Sequence, residues 1–377
     1  PDNGESSGRS GGKLKTVRIL DEKNIEDIAL GAAVLGTGGG GDPYIGMLMA
    51  RKAIRDYGPV ELYSLNELDD DDLIVPTAMM GAPTVMVEKM PNGDDIINAF
   101  RSVGKYIGKP IKATMSIEAG GLNSVVPIYV AARERLPMVD CDGMGRAFPE
   151  LQMVTHTIYG ISSTPFAMSD ERGNTVLMET ISNKWTETFA RSVTVNMGAM
   201  SMIALYAATV RALKEASIPG TMTKAETIGQ TIRRARQQEE DPVNTVRESV
   251  GGFLIFEGKI SDVERRTEAG FAKGDAHLEG IDNYHGHRLQ LSFQNEHLAV
   301  RIDGEFKVTV PDLIVLLDVD TGEPITTEAM RYGYRVAVIA IPCDKKWRTD
   351  KGLELVGPRF FGYDVDYVPV EDRFSSS

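Results

Sequence analysis

Acids, glycines and one arginine crowd into Val139-Asp140-Cys141-Asp142-Gly143-Met144-Gly145-Arg146-Ala147-Phe148-Pro149-Glu150. Carboxylates at this spacing can divide general acid and base roles, or hold a divalent metal through oxygen ligands. Asp140, Asp142 and Glu150 are therefore candidate catalytic groups. Arg146 can clamp a substrate carboxylate or lower the pKa of a neighbouring aspartate. Cys141 is a weaker nucleophile, because flanking carboxylates raise its pKa and a strand would turn its side chain away from theirs.

Two further segments can face that stretch. Gly36-Thr37-Gly38-Gly39-Gly40-Gly41-Asp42-Pro43 holds five glycines in six residues. Its amides can turn toward an anion, and it feeds a helix with Asp42 as N-cap and Pro43 at the first position. Gly38, Gly39, Gly40, Gly41 and Asp42 are candidate substrate-binding residues. No Gly-Lys-Ser/Thr follows, and the preceding element reads as helix, so neither a Walker loop nor a dinucleotide fingerprint is present. Ser116-Ile117-Glu118-Ala119-Gly120-Gly121-Leu122-Asn123-Ser124 reads as a strand-to-helix junction, with Glu118 catalytic and Asn123 either contacting substrate or capping the helix. Gln294-Asn295-Glu296 interrupts a strand pattern. It marks a strand end or bulge, or else Asn295 and Glu296 face a cleft between the two halves. His156 lies six residues after Glu150 and can reach the acidic stretch, whereas His285 and His287 have no second cluster to complete a zinc site.

The elements that must position these residues fall into two halves. From Val17 onward, strands at 73–79, 111–118 and 137–141 alternate with helices at 24–35, 43–57, 96–107 and 124–135. That pattern predicts an α/β layered domain with a mostly parallel sheet over residues 17–185. Residues 186–372 read as two long helices, Met197–Ala216 and Lys224–Glu239, followed by a β-rich sandwich or barrel-like domain. Its strands are expected at 253–259, 288–293, 298–302, 313–318 and 336–341. Residues 1–16 read as a flexible polar leader, and Ser375–Ser377 as a similar tail.

Composition narrows the function. With 41 basic and 54 acidic residues the net charge is −13, which disfavours a nucleic-acid partner. No apolar run approaches the ~20 residues of a membrane span. Two cysteines fit a reducing, cytoplasmic compartment.

The ordered motifs Gly36–Pro43, Glu118–Gly121, Asp140–Glu150, Gln294–Glu296, Val310-Pro311-Asp312-Leu313-Ile314 and Arg331-Tyr332-Gly333 resemble the S-methyl thiohydantoin desulfurase family over residues 20–370. That resemblance implies hydrolysis of an S-methyl thiohydantoin, a five-membered cyclic amide-like ring, to hydantoin and methanethiol. It also implies a small residue as common at the Cys141 position. Under this reading Asp140 or Asp142 activates water, with or without a divalent metal, and Glu150 or Glu118 manages the ring proton. Arg146 and the Gly38–Gly41 amides hold anionic parts of the substrate. The rival readings are a non-catalytic partner or ligand-sensing module of a hydantoinase/oxoprolinase-type enzyme, and an ATP-assisted cyclic amidohydrolase. The expected associations are a homo-oligomer or a complex with a hydantoinase-like protein.

Overall fold

The computed structural model describes residues 17–81, 92–268 and 270–374; the expected leader and tail lie outside them. Leu73–Gly81, Ile111–Ser116, Met138–Val139 and Val60–Tyr63 form the parallel centre of a mixed sheet. Antiparallel strands extend it: Arg18–Leu20 at one side, and Met200–Ala204, Phe166–Ser169 and Thr175–Met178 at the other. The central strand Leu73–Gly81 is buried along nearly its whole length, as a strand covered on both faces must be. Helices Asp94–Ile107 and Gly121–Glu134 pack on this sheet, and Glu22–Leu35 and Pro43–Tyr57 pack on Gly121–Glu134.

Met197–Ala216 is not one helix. Met200–Ala204 is a fully buried strand inside the sheet, and only Val210–Ala216 is helical. A short all-apolar run carries no period that separates a doubly buried strand from a buried helix. Positive φ at Ala199 (65°) and Tyr206 (51°) closes the strand at both ends. Helices of 14 and 17 residues, Asn183–Asn196 and Thr221–Gln237, do precede the β-rich half.

That half is a seven-stranded antiparallel sheet among the described residues. Its strand order is Glu305–Thr309, Glu296–Ile302, Arg288–Gln294, Phe271–Gly280, Phe253–Glu268, Arg335–Ile341 and Leu313–Asp318. The sheet curls like half a barrel, so that His297 Nδ1 on one strand reaches the Ile314 carbonyl on another at 2.9 Å.

The two halves share one core, with Leu35, Met144 and Phe148 packing beside Leu298, Val315 and Trp347. Helices Glu22–Leu35 and Thr221–Gln237 run in close contact. Their approach needs glycine, since a Cβ on Gly229 would fall 2.0 Å from the Asp27 carbonyl oxygen. Among the described residues no helix is long and apolar enough to cross a membrane.

Candidate active site

The strand Ile111–Ser116 ends just before Glu118, and helix Gly121–Glu134 begins three residues later. This junction meets the glycine loop backbone to backbone. Gly40 O accepts from Leu122 N at 2.9 Å, and a Cβ on Gly121 would sit 2.2 Å from Gly41 O. On its other side the loop is bonded to the C-terminal half: Thr37 O accepts from His297 N and Gly38 O from Thr327 N, both at 2.8 Å. The run of glycines therefore serves close approach on two sides. A side chain at Gly39 would strike Glu296, whose Oε1 lies 2.0 Å from the Cβ position.

These contacts enclose a cavity lined by Gly40, Gly41, the Ala78–Gly81 strand end, Glu118, Asn123, Phe148, Glu150, Arg191, Asn295 and Glu296. Glu118 is 5% exposed. Burial pushes its carboxyl up to about 7, against the pull of Asn123 Nδ2, which donates to Glu118 Oε1 at 2.6 Å. The charge of Asp142 adds to the upward shift. Asn123 is itself fixed, since its Oδ1 accepts from Met79 N at 2.7 Å and its Nδ2 donates to Met79 O at 3.2 Å. It sits inside the helix and is no cap; Ser124 Oγ instead accepts from Gly120 N at 2.9 Å.

Glu296 is 3% exposed, and its Oε2 has no hydrogen-bond partner among the described residues. Burial first, then the charge of Glu118, raises its carboxyl well above the ordinary range, with Arg146 opposing. A buried carboxyl that keeps its proton is a hydrogen-bond donor without a protein acceptor. Of the carboxyls lining the cavity, Glu118 and Glu296 are thus both shifted by burial toward the protonated form.

Several expected residues have other tasks. Arg146 is fully buried and gives Nε to Ala147 O (2.9 Å), Nη1 to Pro311 O (3.1 Å) and Asp312 O (2.7 Å), and Nη2 to Thr37 Oγ1 (2.9 Å) and His297 O (3.1 Å). All five donors are used, so it fastens the two halves and has none left for substrate. Asp142 is buried and accepts from Ala119 N (2.6 Å), Met144 N (3.0 Å) and Gly145 N (2.8 Å). It shapes the loops behind the cavity and does not line it. Asp140 faces away, accepting from Met222 N (2.9 Å), Thr223 N (3.2 Å) and Thr223 Oγ1 at the start of helix Thr221–Gln237. Asp42 caps its own helix through Tyr44 N at 2.8 Å and does not line the cavity.

Glu150 stands at the cavity wall, paired with Lys184 and with Gln152 Nε2 at 2.5 Å. Asn295 occupies a tight turn with φ 58°, and its Oδ1 accepts from Ala272 N at 2.8 Å. It thus ends a strand and also lines the cavity. His156 bonds Ser217 Oγ at 3.0 Å, outside the cavity. Burial pushes the Cys141 thiol well above its usual range. Among the described residues no group of three or more His, Cys, Asp or Glu could hold a metal ion.

Family models for S-Me-THD-like N-terminal and C-terminal domains match residues 23–180 and 181–370. The chain belongs to the S-methyl thiohydantoin desulfurase family. Its fold is similar to the crystal structure of a protein from Chromobacterium violaceum, at 22% identity and a TM-score of 0.77. That match covers 94% of this chain and 100% of the other. No curated protein matches at a significant level.

One lining residue of this desulfurase-family cavity escapes sequence reasoning altogether. Arg191 lies on helix Asn183–Asn196 and pairs with Glu187 four residues earlier, a spacing that reads as an ordinary surface pair. Only the close placement of the Phe271 ring, 4.3 Å from its guanidinium carbon, reveals a cation built into the wall.

Proposed function

We propose that this chain is a hydrolase that converts an S-methyl thiohydantoin to hydantoin and methanethiol at the Glu118–Glu296 cavity. The observation that carries the reading is the meeting of two buried carboxyls, Glu118 and the Glu296 whose Oε2 has no partner among the described residues, at one cavity in a member of this family. Two neighbouring buried carboxyls that share a proton can divide acid and base roles.

The reacting carbon bears the S-methyl group and a C=N bond. Ionised Glu118 takes a proton from water as its oxygen adds to that carbon, and protonated Glu296 gives its proton to the ring nitrogen. The tetrahedral adduct then collapses. Its hydroxyl returns a proton to Glu296, the C–S bond breaks, and Glu118 delivers the first proton to the departing sulfur. Hydantoin and methanethiol leave with both carboxyls restored. Asn123 holds Glu118 in place, and the N–H groups of Gly40 and Gly41, which have no protein partner among the described residues, are donors for charge that develops on the ring. The water-activating role expected of Asp140 or Asp142 thereby passes to Glu118.

The test is methanethiol release from S-methyl thiohydantoin in ¹⁸O-labelled water. The expected result is thiol formation with one ¹⁸O in the hydantoin carbonyl. Absence of thiol, or wild-type rates in Glu118→Gln, overturns the assignment.

A further inference from the structure

The cavity wall carries three carboxyls, Glu118, Glu150 and Glu296, and among the described residues one cation, Arg191. Arg191 is held on three sides. Its Nε donates to Glu187 Oε1 at 2.8 Å, its Nη2 donates to Pro149 O at 3.1 Å, and its face lies over Phe271. Glu187 is pinned in turn, because its Oε2 accepts from Leu151 N at 3.0 Å. The Nη1 edge has no protein partner among the described residues, although the side chain is only 15% exposed.

Arg146 spends its whole donor set on protein groups. Arg191 lines the cavity, is fixed by Glu187, Pro149 and Phe271, and keeps Nη1 without a protein partner among the described residues. The fixed Nη1 can give one charge-assisted hydrogen bond to a carboxylate. A chain of net charge −13 also needs a local cation to hold an anionic ligand beside acidic side chains.

We infer that Arg191 selects substrates whose ring bears an anionic substituent, so that the substrate class is acidic S-methyl thiohydantoins. This inference rests on the proposed hydrolysis for its chemistry, and its test separates the two. The test uses S-methyl thiohydantoins carrying a carboxymethyl group or its primary amide on the ring carbon remote from sulfur, together with the two corresponding hydantoins. Wild-type kcat/KM should favour the acid by about tenfold or more, the size of one charge-assisted hydrogen bond, mainly through KM. Arg191→Gln should collapse that ratio toward one, and Arg191→Lys should retain part of it. The hydantoin acid should likewise bind the wild type at least tenfold more tightly than its amide in calorimetric titration. Equal handling of acid and amide by the wild type overturns the inference, as does an unchanged ratio in Arg191→Gln. Should neither substrate release methanethiol while the acid still binds preferentially, the hydrolysis fails and the anion selectivity stands. If Arg191→Gln does not fold, the wild-type comparison decides alone.

Discussion

Asp142 and Glu118 are buried carboxyls, and burial drives both up to about 7. They differ in what surrounds their oxygens. Asp142 accepts from three backbone N–H groups and shapes loops. Glu118 is held by Asn123 and by the backbone of Phe148, and it faces a cavity that also holds the unpartnered Oε2 of Glu296. Arg146 and Arg191 repeat the contrast among cations. A buried charge whose hydrogen-bonding capacity is fully met is part of the framework, and one whose capacity is incomplete is ready for a ligand.

Substitutions can break this division. Glu118→Gln and Glu296→Gln should each lower methanethiol release by roughly 10²–10⁴-fold, the range of lost acid–base catalysis, with circular dichroism unchanged. Arg146→Met should instead reduce stability by about 3–5 kcal/mol, as loss of a buried, fully bonded charge does; a wild-type urea midpoint would erase its role as fastener. For Asp142→Asn a loss of about 1–3 kcal/mol is expected, with turnover per folded molecule near wild type. A collapse of turnover at full stability would return Asp142 to the chemistry.

The pH dependence sharpens the same contrast. In the proposed hydrolysis Glu118 must be ionised to take a proton, so kcat/KM should rise with pH through about 7. Removing the donor that favours its ionised form, in Asn123→Ala, should move that limb upward and lower the rate at neutral pH. Stability runs the opposite way. The folded-state pKa of Glu118 lies above its ordinary value of 4.5, so its contribution to folding is full below 4.5 and is lost as pH rises through about 7. Glu118→Gln should therefore gain on the wild type in unfolding free energy from urea titration between pH 5 and 8, by up to about 3 kcal/mol.

Much of this was legible from residue types. The helix Pro43–Tyr57 has the bounds its cap and proline require, and the ordered motifs identify the family. Glu118, Glu296, Asn123, Asn295, Gly40, Gly41 and Glu150 are lining residues by their position beside strand ends and loops. Local reading fails where long-range contacts decide. The density of acids in 140–150 gives no sign that Asp140 turns to a helix whose Met222 lies 82 residues on, or that Asp142 is enclosed by amides. Met200–Ala204 reads as helix because both of its faces are covered. Arg191 is hidden because the ring that fixes it comes from a strand far along the chain.

The glycine loop has a last consequence. Its carbonyls at Thr37 and Gly38 are bonded to His297 and Thr327, so the N-terminal half supplies Glu118 and the C-terminal half supplies Glu296. A gene cut between codons 180 and 181, where the two family domains meet, would give two polypeptides with one carboxyl of the pair each. Methanethiol would then count reassembled molecules, turnover would fall on dilution as a second-order quantity, and the split chain would report its own complementation.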